Sequence, residues 1–353
     1  MNYTKMLKKF SLNQIKFYPL FAFSVILFKC SQNYKSEQTK NSLDTSKIKI
    51  LTDQIRKDPY NPKLYVLRAK EYLRLNKKDS TIRDFNIAYN LDSLNDSLLF
   101  LLTDLQIKTG KINEAKKIIE NFLSYKKESE LALYQLANIH FIYKDYLKAK
   151  IYIDEIFKFN PDYPLAHFLK ALVQIETNQP NEAIKTLHKV IELQPSNSEA
   201  YNLLGLLYHE LENEIAVKYY KTAAEINPKD PNPLYNLGIY YLERSNYDMA
   251  LFYFYQIINK INSKHENAYY SIGYVYAKKK IYNLAISYFD TVLQINPKNV
   301  DAIYNIGYCY EKMKNFNLAK EYYMKAKIIK PNYEKSIIAL NRIDSILYGL
   351  KKN

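Results

Sequence analysis

A unit of about 34 residues recurs about eight times between Pro62 and Pro331, and it constrains the fold more than any other feature of the chain. The last two copies align residue by residue. One has Tyr269, Ile272, Gly273 and Tyr276, followed by Ala285, Phe289, Val292 and Pro297. The next has Ile303, Ile306, Gly307 and Tyr310, followed by Ala319, Tyr323, Ala326 and Pro331. Such a chain folds by stacking its units, because one unit cannot bury its own apolar face.

The spacing within each unit predicts a helical hairpin. The first four pattern residues lie three or four apart, which places them on one face of a helix, and the next three do the same for a second helix. A glycine in the first helix, such as Gly273, lets the second helix approach closely. The closing proline, such as Pro297, stops the second helix. The fifth unit is one residue short between its helices, and the sixth has one extra residue at its exit, Asn262 to Asn267.

The pattern resembles the tetratricopeptide repeat, in which a large residue, an aliphatic and small pair and a tyrosine precede an alanine, an aromatic and a late proline. The resemblance implies an all-α fold, an α-α superhelical solenoid of about eight helical hairpins over residues 62–331. Residues 46–61 are predicted to form an N-terminal capping helix and residues 332–353 a C-terminal one. Terminal helices with a polar outer face keep a solenoid soluble.

Residues 1–29 differ in character from the repeats. A basic segment precedes an apolar run from Phe17 to Phe28, as in secretory signal peptides. The run leads into Leu27-Phe28-Lys29-Cys30, which resembles the end of a bacterial lipoprotein signal. That resemblance implies cleavage before Cys30 and acylation of its sulfur and new amino group. The alternatives are an uncleaved signal anchor and a cytoplasmic protein with an apolar N-terminus.

Residues 30–45 are polar and lack apolar periodicity, so we predict a flexible tether between a lipidated Cys30 and the repeats. With the lipoprotein resemblance, this organisation implies a protein of the bacterial cell envelope that faces the periplasm. The membrane would then be a partner through the lipid anchor. The alternative location is cytoplasmic.

The net charge of +15 does not predict nucleic-acid binding. Residues 1–30 contain lysines and no acidic residue, and basic and acidic residues nearly balance from Glu128 onward. The excess therefore lies near the N-terminus. A diffuse solvated surface accounts for it, and contact with anionic lipid is a further use for it.

Specificity is expected on the first helices of the units. In tetratricopeptide arrays these helices line a groove, into which the fifth and ninth positions of each unit point. The resemblance therefore implies a peptide-binding groove formed by Phe100, Tyr134, Phe168, Asn202, Tyr235, Tyr270, Tyr274, Tyr304 and Tyr308. Aromatic rings supply contact area there, and phenol hydroxyls bond a peptide backbone. The alternative is that these rings fill the space between adjacent helices.

The sequence contains no pattern typical of a catalytic or metal site. The five histidines have no Cys, Asp or Glu companion at ligand spacing, and Cys309 has the place of a small buried residue. We therefore expect no enzymatic activity, no cofactor and no small-molecule substrate. The predicted function is a membrane-tethered protein–protein interaction scaffold or adaptor that binds protein or peptide partners. The alternative is a soluble basic array that binds RNA or a signalling partner.

Overall fold

The computed structural model describes the backbone of residues 37–352 and the side chains of residues 46–348. Within residues 37–352 all regular structure is helical, which confirms the predicted all-α solenoid class. The chain divides near Ala200 and Tyr201 into two compact parts, an N-terminal part and a C-terminal part.

The N-terminal part contains a single helix and four hairpins. Its helices are α1 Glu37–Lys57, α2 Pro62–Arg74, α3 Lys78–Leu91, α4 Asp96–Lys108, α5 Ile112–Tyr125, α6 Glu130–Ile142, α7 Tyr146–Phe159, α8 Pro164–Glu176 and α9 Pro180–Leu193. Repeats 1 to 4 are the pairs that begin with α2, α4, α6 and α8.

The C-terminal part contains four more hairpins and a closing helix. Its helices are α10 Ser198–Glu210, α11 Ile215–Ile226, α12 Pro231–Glu243, α13 Tyr247–Gln256, α14 Glu266–Lys278, α15 Tyr282–Ile295, α16 Val300–Lys312, α17 Phe316–Ile329 and α18 Glu334–Lys352. Repeats 5 to 8 begin with α10, α12, α14 and α16. The eight predicted hairpins are therefore all present in the described chain.

In repeats 5 to 8 the glycine of the first helix lies against the second helix of the same hairpin. In repeat 7 a Cβ added to Gly273 would lie 2.9 Å from Cε1 of Phe289, whose ring is fully buried. In the N-terminal part Ala69, Ala137 and Ala171 occupy the same position and are also fully buried. This close approach is the packing that the sequence pattern predicts.

Each first helix ends with the same reversal of the chain. In repeat 7, Lys280 has a left-handed backbone with φ of 64°, and the N–H of Ile281 donates to the carbonyl of Tyr276 at 2.9 Å. This is the Schellman arrangement, which favours glycine. Repeat 2 has Gly110, but the other repeats place non-glycine residues there: Asn76, Lys144, Asn178, Glu212, Ser245, Lys280 and Lys314.

The two irregular repeats adjust their length in different places. In repeat 5 the left-handed residue Glu212 precedes the second-helix alanine, Ala216, by four residues. In repeat 7 Lys280 precedes Ala285 by five, so the missing residue of repeat 5 lies at the entry to its second helix.

For repeat 6 we predicted that the extra residue lengthens the exit loop, and this was wrong. The residue instead widens the end of α13 into a π-helical turn, Ile257–Ile261. The N–H of Asn262 donates to the carbonyl of Ile257 at 2.8 Å. The wider turn keeps both Ile257 and Ile258 buried.

The N-terminal helix is longer than predicted. It begins at Glu37 rather than at Ser46, so residues 37–45 are helical although we predicted them as part of the flexible tether. The segment has no proline or glycine and contains good helix formers, so α1 continues beyond its apolar face. The predicted signal peptide, Cys30 and the rest of the tether lie outside the described residues.

Candidate protein-binding surface on the first helices

Three of the predicted groove residues lie in the N-terminal part, and all three are buried. Phe100 on α4, Tyr134 on α6 and Phe168 on α8 are 8%, 8% and 3% exposed. They are buried because adjacent first helices, such as α4 and α6, pack directly on each other. Burial also raises the pKa of Tyr134, with a further contribution from nearby Tyr163 and Asp104, so this phenol stays neutral. These three rings fill space between helices, which was the alternative interpretation.

Three more predicted residues, Asn202, Tyr235 and Tyr270, are buried in the C-terminal part, and each meets a polar side chain of the next first helix. Asn236 Nδ2 donates to Asn202 Oδ1 at 3.0 Å. The hydroxyls of Tyr235 and Ser271 lie 3.4 Å apart, and Asn305 Nδ2 donates to the phenol oxygen of Tyr270 at 2.7 Å. We call these three contacts the polar ladder. They place α10, α12, α14 and α16 side by side.

The polar ladder was not predicted, although the sequence contains a signal for it. The sixth position of repeats 6, 7 and 8 is polar, with Asn236, Ser271 and Asn305. Repeats 1, 2, 4 and 5 have leucine at that position. Burial raises the pKa of Tyr235 to about 12, and a hydrogen bond from Ser271 opposes the shift only in part.

The remaining predicted residues, Tyr274, Tyr304 and Tyr308, are only half-buried. Tyr304 packs against Tyr323 and Tyr333, with ring centroids 5.2 and 5.8 Å away. Tyr274 and Tyr308 are each followed one helical turn later by a lysine. Together these three tyrosines form a partly accessible aromatic surface on α14 and α16, which we call the tyrosine surface. Of the nine predicted groove residues, only these three, which lie towards the C-terminal end, are partly accessible.

A lysine lies over the ring of two of the three residues of the tyrosine surface. Lys278 Nζ lies 5.3 Å from the ring centroid of Tyr274, and Lys312 Nζ lies 5.2 Å from that of Tyr308. Both distances are typical of cation–π contacts. Neither lysine forms an ion pair with the described residues of the chain, 46–348.

The carboxylates on these first helices are already engaged. Glu243 Oε2 lies 2.9 Å from His209 Nε2. Glu311 accepts from Arg342 Nε and Nη2 at 2.9 and 2.7 Å, and from the Tyr323 hydroxyl at 2.6 Å. Burial alone would raise the pKa of Glu311, but these donors outweigh it and leave that pKa below its ordinary value.

Within the described residues, His140, His209 and His265 make contacts inside the helical array, and Cys309 is buried in it. Two histidines do have acidic partners, which the sequence spacing did not predict: His209 contacts Glu243, and His140 Nδ1 lies 3.2 Å from Asp145. His265 instead caps α14 by accepting from the N–H of Ala268 at 3.1 Å. Burial raises the pKa of the Cys309 thiol to about 12. No group of three or more His, Cys, Asp or Glu able to hold a metal occurs within residues 46–348.

Helical hairpins of this length, with a small residue in the first helix and an aromatic one in the second, define a helical-repeat protein. Tetratricopeptide repeat models match residues 198–230, 219–252, 266–299 and 300–333, and a TPR repeat model matches residues 174–211. The chain therefore contains tetratricopeptide repeats, as the sequence pattern predicted. A model of anaphase-promoting complex, cyclosome, subunit 3 matches residues 108–190.

Known proteins resemble the chain at low identity. The Protein CTR9 homolog of Arabidopsis thaliana is 30% identical over 112 residues, which are 30% of this chain and 10% of that protein. The chain thus matches about a tenth of that relative's length. The APC/C hetero-tetramer Cut9–Hcn1 superposes with a TM-score of 0.57 at 18% identity, covering 84% of this chain and 58% of that chain. Pseudomonas aeruginosa pilF superposes with a TM-score of 0.52 at 19% identity, covering 62% and 98%. Such structural likeness shows the fold alone.

Among the residues that the structure describes, no helix combines the length and the apolar character needed to cross a bilayer.

Proposed function

We propose that this chain is a non-enzymatic protein–protein interaction scaffold that binds a protein or peptide partner on the tyrosine surface. The observation that carries the proposal is the half-burial of Tyr274, Tyr304 and Tyr308 on adjacent first helices. Aromatic side chains that keep one face accessible are frequent anchors of protein interfaces, because they offer a large area at low cost in conformational entropy. Of the other predicted groove residues, Tyr270 joins the two helices of this surface, because it accepts a hydrogen bond from Asn305 of α16 at 2.7 Å.

Site-specific photocrosslinking in cells tests the binding surface. The full chain carries p-benzoylphenylalanine either at Tyr308 or at Phe252, which is 54% exposed on the second helix α13. We expect a discrete protein adduct from position 308 and none from position 252. Replacing Tyr274 by Ala should abolish the adduct at 308 while the helical circular dichroism is retained. Equal adducts from both positions, or none from 308, would contradict the proposal.

We further propose that the scaffold is anchored to a bacterial membrane by lipid on Cys30 and faces the periplasm. The support is the sequence of residues 1–30, in which a basic segment and an apolar run end at this cysteine. Two or more acyl chains would hold the protein stably, whereas one chain binds only marginally. The basic excess near the N-terminus suits an anionic membrane surface.

Metabolic labelling with palmitate tests the anchor. We expect the wild type to take up label and to sediment with membranes, and the Cys30→Ser variant to do neither. Cys309→Ala is the matched control, because Cys309 is the other cysteine and is fully buried. Unlabelled wild-type protein in the soluble fraction would rule the anchor out and leave the scaffold proposal intact.

A further inference from the structure

Two tyrosine–lysine pairs repeat on adjacent first helices of the C-terminal part. Tyr274 and Lys278 lie on α14, and Tyr308 and Lys312 occupy the same positions on α16. The hydrogen bond from Asn305 to Tyr270 joins these helices one turn earlier, at 2.7 Å. The two pairs therefore lie next to each other, at the separation of packed helices, about 8–10 Å.

The charges around these pairs are unbalanced. Lys278 and Lys312 are exposed, and neither has an ion-pair partner within residues 46–348. Glu311, the residue before Lys312, accepts hydrogen bonds from Arg342 and Tyr323. The corresponding position of repeat 6 is Glu243, which contacts His209. Within residues 46–348, neither of these cations beside partly accessible rings forms an ion pair, and the carboxylate that interacts with Lys312, Glu311, is shared with Arg342 and Tyr323.

This arrangement suits carboxylates from another chain. Each ammonium lies over a ring, which orients it while leaving N–H donors available to an acceptor. In an extended polyproline II segment, side chains three residues apart point to one side and are about 9 Å apart. That spacing is close to the axial separation of packed helices, about 8–10 Å, so one acidic side chain can reach each lysine.

We propose that the Tyr274–Lys278 and Tyr308–Lys312 pairs bind an extended acidic segment of a partner protein, with Asp or Glu side chains three residues apart. The inference rests on the proposed function, and it adds the chemical class of the partner. The affinity depends on the two ion pairs and decreases as ionic strength rises. The tyrosine rings contribute contact area that does not depend on salt.

Selection from a random peptide library displayed on phage tests the inference, with the full chain in mild detergent as the target. We expect the enriched peptides to contain two acidic residues three apart. Synthetic versions should lose affinity about tenfold or more towards Lys278→Gln/Lys312→Gln, and similarly when their acidic residues become Asn or Gln. The control Lys279→Gln/Lys320→Gln removes the same charge from lysines that pair with Asp248 and Asp344. It should change the affinity less than about threefold.

The outcomes separate the two proposals. The enriched peptides could lack acidic residues and yet bind the wild type better than the Tyr308→Ala variant. That result would overturn the acidic specificity and support the scaffold proposal. Acidic peptides that weaken equally with both double variants would reduce the effect to net charge and overturn the inference. Failure to enrich any peptide would overturn the inference, and the photocrosslinking at position 308 would still decide the scaffold proposal.

Discussion

Asp84 accepts two hydrogen bonds from the guanidinium of Arg68, from Nε at 2.7 Å and from Nη2 at 2.8 Å. Asp84 is 2% exposed, and Arg68 Nη1 also donates to Thr52 Oγ1 at 3.1 Å. The guanidinium therefore joins α1, α2 and α3. Arg68 occupies a repeat position at which most other repeats have an aliphatic residue. In repeat 1 an ion pair therefore replaces part of the apolar core.

We expect Asp84→Ala to lower the free energy of unfolding by about 3 kcal/mol, because it leaves Arg68 partly buried without a counter-charge. Urea unfolding followed by circular dichroism measures the change. Asp53→Ala is the control, since it breaks the exposed pair with Arg56 and should cost less than about 1 kcal/mol. Replacing both Arg68 and Asp84 by Leu should restore most of the loss. Equal effects of the two single variants would show that the buried pair has no special importance.

Gly273→Ala tests the close approach of the two helices in repeat 7. Helix propensity alone favours alanine by about 1 kcal/mol, but the new Cβ would lie 2.9 Å from Phe289 and 3.2 Å from the carbonyl oxygen of Ala285. Overpacking of this kind costs about 1–3 kcal/mol, so we expect a net loss of about 1 kcal/mol in urea unfolding. In the Phe289→Leu background the same substitution should be less harmful. A variant as stable as the wild type in both backgrounds would show that the hairpin relaxes freely.

Lys280→Gly is expected to stabilise the fold. The φ of 64° at Lys280 strains a residue with a Cβ, whereas glycine adopts this conformation readily. Glycine also increases the conformational entropy of the unfolded chain, which offsets only part of the stability gained from the relief of strain. We expect a rise of about 0.5–1 kcal/mol in the free energy of unfolding. The neighbouring Lys279, with φ of −72°, provides the control, because glycine there should destabilise. A loss of stability at both positions would contradict the role assigned to the left-handed residue.

Glu311 predicts a dependence of stability on pH. Its pKa in the folded protein lies below the ordinary value of 4.5, because Arg342 and Tyr323 outweigh the effect of burial. A carboxyl group with a lowered pKa stabilises the fold above its unfolded pKa, and this contribution is lost as pH falls through the folded value. The melting temperature should therefore drop as the pH falls below about 4.5.

The Glu311→Gln variant should show a smaller drop over the same pH range. Glu321→Gln, which breaks a solvent-exposed pair with Lys325, is the matched control and should follow the wild type. If Glu311→Gln and the wild type lose the same number of degrees on acidification, Glu311 does not contribute to acid sensitivity.

The repeats were predictable because their apolar residues recur at a fixed spacing, as at Gly273 and Phe289. The first-helix surface was harder to predict. Its fifth-position aromatic residues look accessible in the sequence, but direct packing of α4 on α6 buries Phe100 and Tyr134. Nothing in the sequence states how closely first helices approach one another, and that distance decides which rings remain accessible.

Other features depend on partners that are distant in the chain. Asn305 could be recognised as an unusual polar residue, but its bond to Tyr270 follows only from the packing of α16 on α14. Likewise, the extra residue of repeat 6 was evident from length alone. Its location in the π-helical turn Ile257–Ile261 follows from keeping both isoleucines buried.

The polar ladder limits how repeats can be exchanged during evolution. Apolar cores of neighbouring hairpins are similar enough to be swapped, but Asn202 is buried and needs the amide of Asn236. Recombination that put repeat 4 in place of repeat 6 would set Leu169 against Asn202 and leave that amide without a partner, at a cost of about 1–3 kcal/mol. The buried polar contacts between neighbouring repeats therefore favour one order of repeats 5 to 8, because other orders would be less stable.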